Sequence, residues 1–210
     1  MPINLTIQAE VIDIRSDTPR QDDIFLVDTN VWLWQTYSNS IPSDPGVRAK
    51  TRIYTSYLKK ARVAGATLAY SGLIFAELAH VIEKKEYEIY QSRIGRQVKL
   101  KDYRHNNPTE RANVVTEVES AWNQVERFAV PIDLTVNEEI TNASLARFKT
   151  QALDGYDLLI LEAISRAEAG QVKVITDDMD YAVVPDIQLF TNNGLVIQQA
   201  RIQGKLITAR

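Results

Sequence analysis

The sequence predicts a three-layer α/β/α fold with a mostly parallel central sheet. Short runs of buried-strand character at 24–27, 172–176 and 187–190 are separated by segments of helical period. Acidic residues stand directly after two of these runs. That is where open parallel sheets present their ligand-binding residues.

Taken in order, Ile3 to Ile14 alternates apolar with polar residues, the period of a half-buried strand. After the polar stretch Ser16 to Asp23, Ile24-Phe25-Leu26-Val27 reads as a strand buried on both faces and ends in Asp28-Thr29-Asn30. Pro42 to Gly46 punctuates a loop, and 46–62 reads as a helix with Val47, Tyr54, Leu58 and Ala61 on one face. Thr67 to Tyr70 is a short strand leading into a helix from about Leu73 to about Tyr90. Ser92 to Asn107 is polar and basic without clear period, and Pro108-Thr109 opens a helix over about 109–128. Val130 to Leu134 is a strand candidate, followed by helices over 137–150 and 154–169, the second stopped by Gly170. After the strands Val172 to Thr176 and Ile187 to Phe190, Asn192-Asn193-Gly194 reads as a turn before an alternating tail, Leu195 to Ile207. The expectation is one domain over 1–210, with a core at about 24–82 and 130–191. A helical insertion at about 86–128 and extra strands at about 3–14 and 195–207 complete it.

The 210 residues suffice for one domain with a proper core and are short for two. With no cysteine, disulfides, thiolate catalysis and the usual zinc frameworks are excluded, and the two histidines leave carboxylates as the main candidate chemistry. No apolar stretch is long enough to span a membrane and no secretory pattern opens the chain, so a cytoplasmic protein is expected. The net charge of −3 hides a division: residues 45–62 carry +6 and 84–111 carry +4, leaving −13 for the rest. A basic grip and an acidic centre follow as the expectation.

Asp28 is the only charge between Ile24 and Ser43. The plain alternative is an Asp that caps the following turn. Glu77 is the only Asp, Glu, Lys or Arg between Val63 and Ile82, on a helix apolar nearly all round, where an unpaired carboxylate is costly. It either meets a partner or a metal, or turns outward to Lys84. His80, one turn on, is expected as a packed neighbour. Asp154 and Asp157 share a face at a helix start, with Asp154 the natural cap and Asp157 the inward candidate. Asp177, Asp178 and Asp180 follow the strand at 172–176, and one or two of them serve the turn. Acids gathered at strand ends repel one another unless a cation sits among them. Oxygen-only ligands select magnesium or manganese, and a divalent ion so held suits phosphodiester hydrolysis.

With Asp28-Thr29-Asn30 after a strand, Glu77 in its apolar helix, Asp157-Leu-Leu-Ile-Leu-Glu-Ala and Ile175-Thr176-Asp177-Asp178, the sequence resembles the PIN domain family over about 24–82 and 130–191. These are metal-dependent nucleases, many of which cut RNA, and they include the VapC toxins of toxin–antitoxin pairs. The resemblance implies a magnesium- or manganese-dependent endoribonuclease whose metal-holding and catalytic acids are Asp28, Glu77, Asp157 and Asp178, with Thr176 as the small hydroxyl residue beside the last. Asn30 belongs to the same constellation, and Asp154 or Asp180 aligns plausibly in place of a neighbouring acid. An RNA substrate, a separately encoded antitoxin or regulator, and two-fold pairing are further implications. The N-terminal segment, the insertion and the tail depart from the compact toxins.

Arg48, Arg52, Lys59 and Arg62 fall within about 80° of one another on the 46–62 helix, a stripe suited to phosphates or a merely solvated face. Arg93, Arg96, Lys99, Lys101 and Arg104 form a second basic stretch, where Tyr103 is a candidate to stack on an unpaired base. Two rival readings stand beside the nuclease. A phosphatase of the haloacid dehalogenase type would need a second Asp at position 30, which is Asn. An RNA-binding or partner-binding module of the same fold with weak catalysis is the other.

Overall fold

The computed structural model describes residues 5–40, 45–132, 135–167 and 172–210. The beginning of the first expected strand at Ile3, the Pro42–Ser43 part of the loop, the end of the 130–134 strand and the Gly170 helix stop lie outside them.

The chain runs β1 (Glu10–Asp13), β2 (Ile24–Val27), α1 (Thr29–Thr36), α2 (Pro45–Val63), β3 (Thr67–Tyr70), α3 (Gly72–Ile94), α4 (Leu100–Asn106) and α5 (Pro108–Phe128). It continues through β4 (Val130–Pro131), α6 (Glu138–Phe148), α7 (Gly155–Ala167), β5 (Val172–Ile175), β6 (Ile187–Thr191), α8 (Gly194–Ile202) and β7 (Leu206–Ile207). The strands form one sheet in the order β4-β3-β2-β5-β6-β1-β7, and every pairing among the described residues is parallel. The crossovers from β2 through β3 to β4 carry α1, α2, α3 and α5, with α1 packed against the other three and α3 against α5. The return from β4 to β5 carries the paired α6 and α7, and α8 packs on β1, completing the three-layer α/β/α arrangement.

From β2 the chain steps one way, to β3 and β4, whereas β5 and β6 build the other way. The strand order therefore reverses between β2 and β5, and the crevice beyond their carboxyl ends is where such a fold binds ligands. The strands hold position through an apolar core. Phe25 of β2 and Phe190 of β6 meet edge to face at 4.8 Å, and Tyr57 brings α2 onto Phe25 at 6.1 Å.

Four expectations need correction. The tail is not an alternating strand: Asn193 caps α8 by accepting hydrogen bonds from the Leu195 and Val196 amides, and Val196, Ile197 and Ala200 are buried at helical spacing. Only Leu206–Ile207 forms strand there. At the other end, Leu5, Ile7, Ala9 and Val11 are buried in alternation, but ladder bonds form only over Glu10–Asp13. The irregular 92–107 stretch holds the end of α3, the left-handed cap Gly95 and α4. Finally, α3 is buried along one face, at Ile74, Leu78, Ile82 and Glu83, and not all round.

Candidate functional site

Asp28 follows the last residue of β2, is buried, and both of its oxygens are engaged. Oδ1 accepts from the Thr29 amide at 2.6 Å, and Oδ2 accepts from Asn30 Nδ2 and Thr176 Oγ1, each at 2.5 Å. Asp28 thus caps α1 and lies in the crevice at once. Thr176 follows β5 and is wholly buried, so its bond to Asp28 ties the two strands that flank the reversal point. Its hydroxyl also accepts from Asn30 Nδ2 at 3.1 Å and from the Asp178 amide at 2.9 Å.

Thr29 donates its hydroxyl to Glu77 Oε2 at 2.6 Å, so the α1 start reaches across to α3. Glu77 is half-buried and does not turn to Lys84. On α7, Asp154 Oδ1 accepts from the amides of Tyr156 and Asp157, at 2.9 and 3.0 Å, which makes it the helix cap. Asp157 points inward, buried, and its Oδ1 accepts from the Tyr181 hydroxyl at 2.5 Å. Beyond β5, Asp178 Oδ1 accepts from the Asp180 amide at 2.9 Å, while Asp177 is drawn aside into an ion pair with Lys50 of α2 at 2.9 Å. Tyr54 secures that side by donating to the Thr176 carbonyl at 3.0 Å and accepting from the Asn192 amide at 2.8 Å.

The acids act on one another. Burial pushes the Asp28 carboxyl up to about 7, with the charges of Glu77 and Asp178 adding and the Thr176 and Thr29 hydrogen bonds opposing. Burial and then the charge of Asp28 push Asp157 up to about 8, with Asp154 and Glu77 adding and Tyr181 opposing. Burial also raises Glu77, which feels Asp154 and Asp178. Asp180 is raised by burial, Asp178 and Asp154. Asp28, Glu77, Asp157 and Asp178, from four separated segments, thus lie near enough for Asp28 and Glu77 to feel Asp178 and for Asp157 to feel Asp28 and Glu77. Among the described residues no lysine or arginine pairs with any of the four.

A hard divalent ion fits this donor set in kind: the unpaired groups are carboxylate oxygens and the buried Asn30 Oδ1, which has no hydrogen-bond partner. Among the described residues no three Asp, Glu or His side chains stand close enough to enclose an ion. An ion here would take one or two carboxylates and complete its shell with water, the habit of magnesium.

The basic stripe is only partly brought to this end. Arg48, Arg52, Lys59 and Arg62 are all exposed. Lys50 reaches the carboxyl end of β5, and Arg62 lies twelve residues further, about 18 Å along α2. There its guanidinium covers the Phe128 ring at 4.3 Å, so Lys59 and Arg62 stand far from the acids. Tyr103 is buried against Tyr87 and Tyr90, with ring centroids at 5.3 and 5.2 Å, and offers no face to a base. Arg104 is committed to Glu83 at 2.5 Å and Arg93 to Glu110 at 2.5 Å, whereas Arg96, Lys99 and Lys101 are exposed. His80, expected as packed, is exposed on the wall of an apolar groove of about 580 Å³ between α3 and α5.

The sequence reasoning missed Thr29, Tyr181, Lys50 and Tyr54. Thr29 lies within the Asp-Thr-Asn motif and could have been read as a second donor there. The other three act across 24 to 127 residues, which no local pattern reports.

Neither a family model nor a curated protein matches the chain in sequence. Among solved structures it is similar to a chain of VapBC2 from Rickettsia felis bound to a DNA fragment from their promoter. The identity is 16%, covering 80% of this chain and 98% of that one, with a TM-score of 0.43. Among the described residues no helix is long and apolar enough to cross a membrane.

Proposed function

We propose that this chain is a divalent-metal-dependent nuclease of PIN-like type, an endoribonuclease that hydrolyses RNA phosphodiester bonds. The observation that supports it is the gathering of buried, mutually repelling acids, without a cationic partner, in the crevice between β2 and β5. Magnesium or manganese would be held by Asp28 and Asp157, with Glu77 and Asp178 reaching it through water. Once bound, such an ion acidifies a water for attack and offsets charge on the phosphate.

The chain's own residues prepare that centre. Thr29, Asn30 and Thr176 fix the Asp28 carboxylate, and Thr29 also fixes Glu77. Arg48 and Arg52, near the Lys50 end of α2, are the stripe residues within reach of substrate phosphates. A separately encoded regulator and a homodimer belong to the same reading. Light scattering of the purified protein, alone and with co-expressed neighbours, tests both.

The absence, among the described residues, of three acids close enough to enclose an ion favours one second reading, an RNA-binding or partner-binding module with weak catalysis. Cleavage of an RNA pool and the matching DNA, with manganese, with magnesium and with chelator, separates the two. The nuclease cuts RNA only with metal, whereas the module binds RNA equally in chelator and cuts neither.

A further inference from the structure

We propose that Tyr181 is a positioning residue that fixes which oxygen of Asp157 faces the acidic centre, an inference that rests on the nuclease reading above. Tyr181 lies in a 3-10 turn, Asp180–Val183, and its ring is 1% exposed. Its hydroxyl donates to Asp157 Oδ1 at 2.5 Å, and no other described group donates to that side chain. Oδ1 is thereby occupied and Oδ2 is left for the centre. A free aspartate turns broadly about its last torsion, so a carboxylate held beforehand binds an ion with less ordering to complete.

The turn is itself anchored. The Ala182 carbonyl accepts from the Gln8 and Ala9 amides at 2.8 and 3.2 Å, the Ala182 amide bonds the Met179 carbonyl at 3.0 Å, and the Val184 amide bonds the Tyr181 carbonyl at 3.2 Å. The N-terminal segment, outside the PIN-like core, therefore supports an acid of the site. One loop beyond β5 sets two acids: it carries Asp178, and through Tyr181 it orients Asp157 on α7.

The test is binding of Mn²⁺ alone, read by the electron paramagnetic resonance of the free ion. Tyr181→Phe keeps the ring and removes the donor. It is expected to bind Mn²⁺ about 3- to 10-fold more weakly, the range of one lost hydrogen bond, while remaining folded at the assay temperature by circular dichroism. Unchanged Mn²⁺ binding in that variant overturns the role of Tyr181 and leaves the nuclease reading standing. Wild type that binds no Mn²⁺ overturns both.

A second pair leaves Tyr181 in place. In Asp157→Asn the phenol claims the amide oxygen and turns the NH2 towards the ion, so Asn is expected to bind Mn²⁺ no better than Asp157→Ala. Binding by Asn several-fold tighter than by Ala would show the oxygen free to turn and overturn the proposal.

Discussion

Thr176 Oγ1 donates to Asp28 Oδ2 at 2.5 Å, joining the carboxyl ends of β5 and β2 across 148 residues of sequence. The same hydroxyl accepts from the Asp178 amide, so one small side chain holds one acid directly and another through its backbone. Thr176→Val keeps the shape and removes both of these bonds together with the one from Asn30 Nδ2. We predict a loss of about 1–3 kcal/mol in stability, because Asp28 and the Asp178 amide lose a partner in a buried place. Urea titration measures it, and an unchanged midpoint would contradict the account.

The raised acids predict how stability depends on pH in the metal-free protein. Asp28 near 7 and Asp157 near 8 hold protons in the folded state that the unfolded chain has already released. The folded state binds more protons over that interval, so the stability these groups contribute is full below about pH 4 and is lost as pH rises through 7 to 8. Melting midpoints at pH 5.5 and 8.5 should fall in that order, and Mn²⁺ should raise the midpoint more at pH 8.5. A midpoint that rises from pH 5.5 to 8.5 without metal would be inconsistent with an acidic centre.

At the opposite end of β2, burial would raise Asp23, but Arg210 and Lys173 hold it down to about 2. Arg210 also pairs with Asp17 at 2.7 Å and lies over the Phe190 ring at 4.4 Å. Arg210→Ala leaves two buried carboxylates short of a partner and should cost about 3 kcal/mol. Because the clasp lies away from the crevice, specific activity of the folded variant should equal wild type. Loss of activity in excess of loss of folded protein would contradict this placement.

The stripe on α2 divides by distance. Arg48→Ala with Arg52→Ala should weaken RNA binding several-fold and flatten its salt dependence by up to about two phosphate contacts. Lys59→Ala with Arg62→Ala, far along the helix, should leave both unchanged. Filter binding at two salt concentrations gives the comparison, and equal effects from the two pairs would restore the undivided grip.

Tyr103 is a packing residue whose buried hydroxyl has no hydrogen-bond partner. Tyr103→Phe should therefore leave stability equal or slightly higher and RNA affinity unchanged. Weaker RNA binding by this variant would return Tyr103 to a stacking role.

Much of the site was legible because charge is rare where it matters. Asp28 and Glu77 each stand alone in about twenty residues without another Asp, Glu, Lys or Arg, and a lone carboxylate in such company has to be accounted for. The strands at 24–27 and 67–70 were legible from short runs of apolar and β-branched residues between turn signals. What escaped was decided by packing. Leu195-Val-Ile-Gln-Gln-Ala fits either period, and the Asn193 cap with burial of Val196, Ile197 and Ala200 settles it as helix. Helix α1 is built of Thr, Val and Trp, poor helix formers, and is held by Asp28 at its start and by burial of Val31, Trp32 and Leu33. The bond from Tyr181 to Asp157 exists only once the turn at Asp180–Val183 meets the start of α7.

Asp28→Asn beside wild type in a manganese-dependent RNA cleavage assay decides whether the acids at the β2–β5 crevice hold a divalent ion that cuts RNA. Asn keeps the shape and removes the charge, so the account predicts cleavage by wild type, abolished in chelator and reduced at least about 100-fold in the folded variant. Cleavage by Asp28→Asn at the wild-type rate would contradict it.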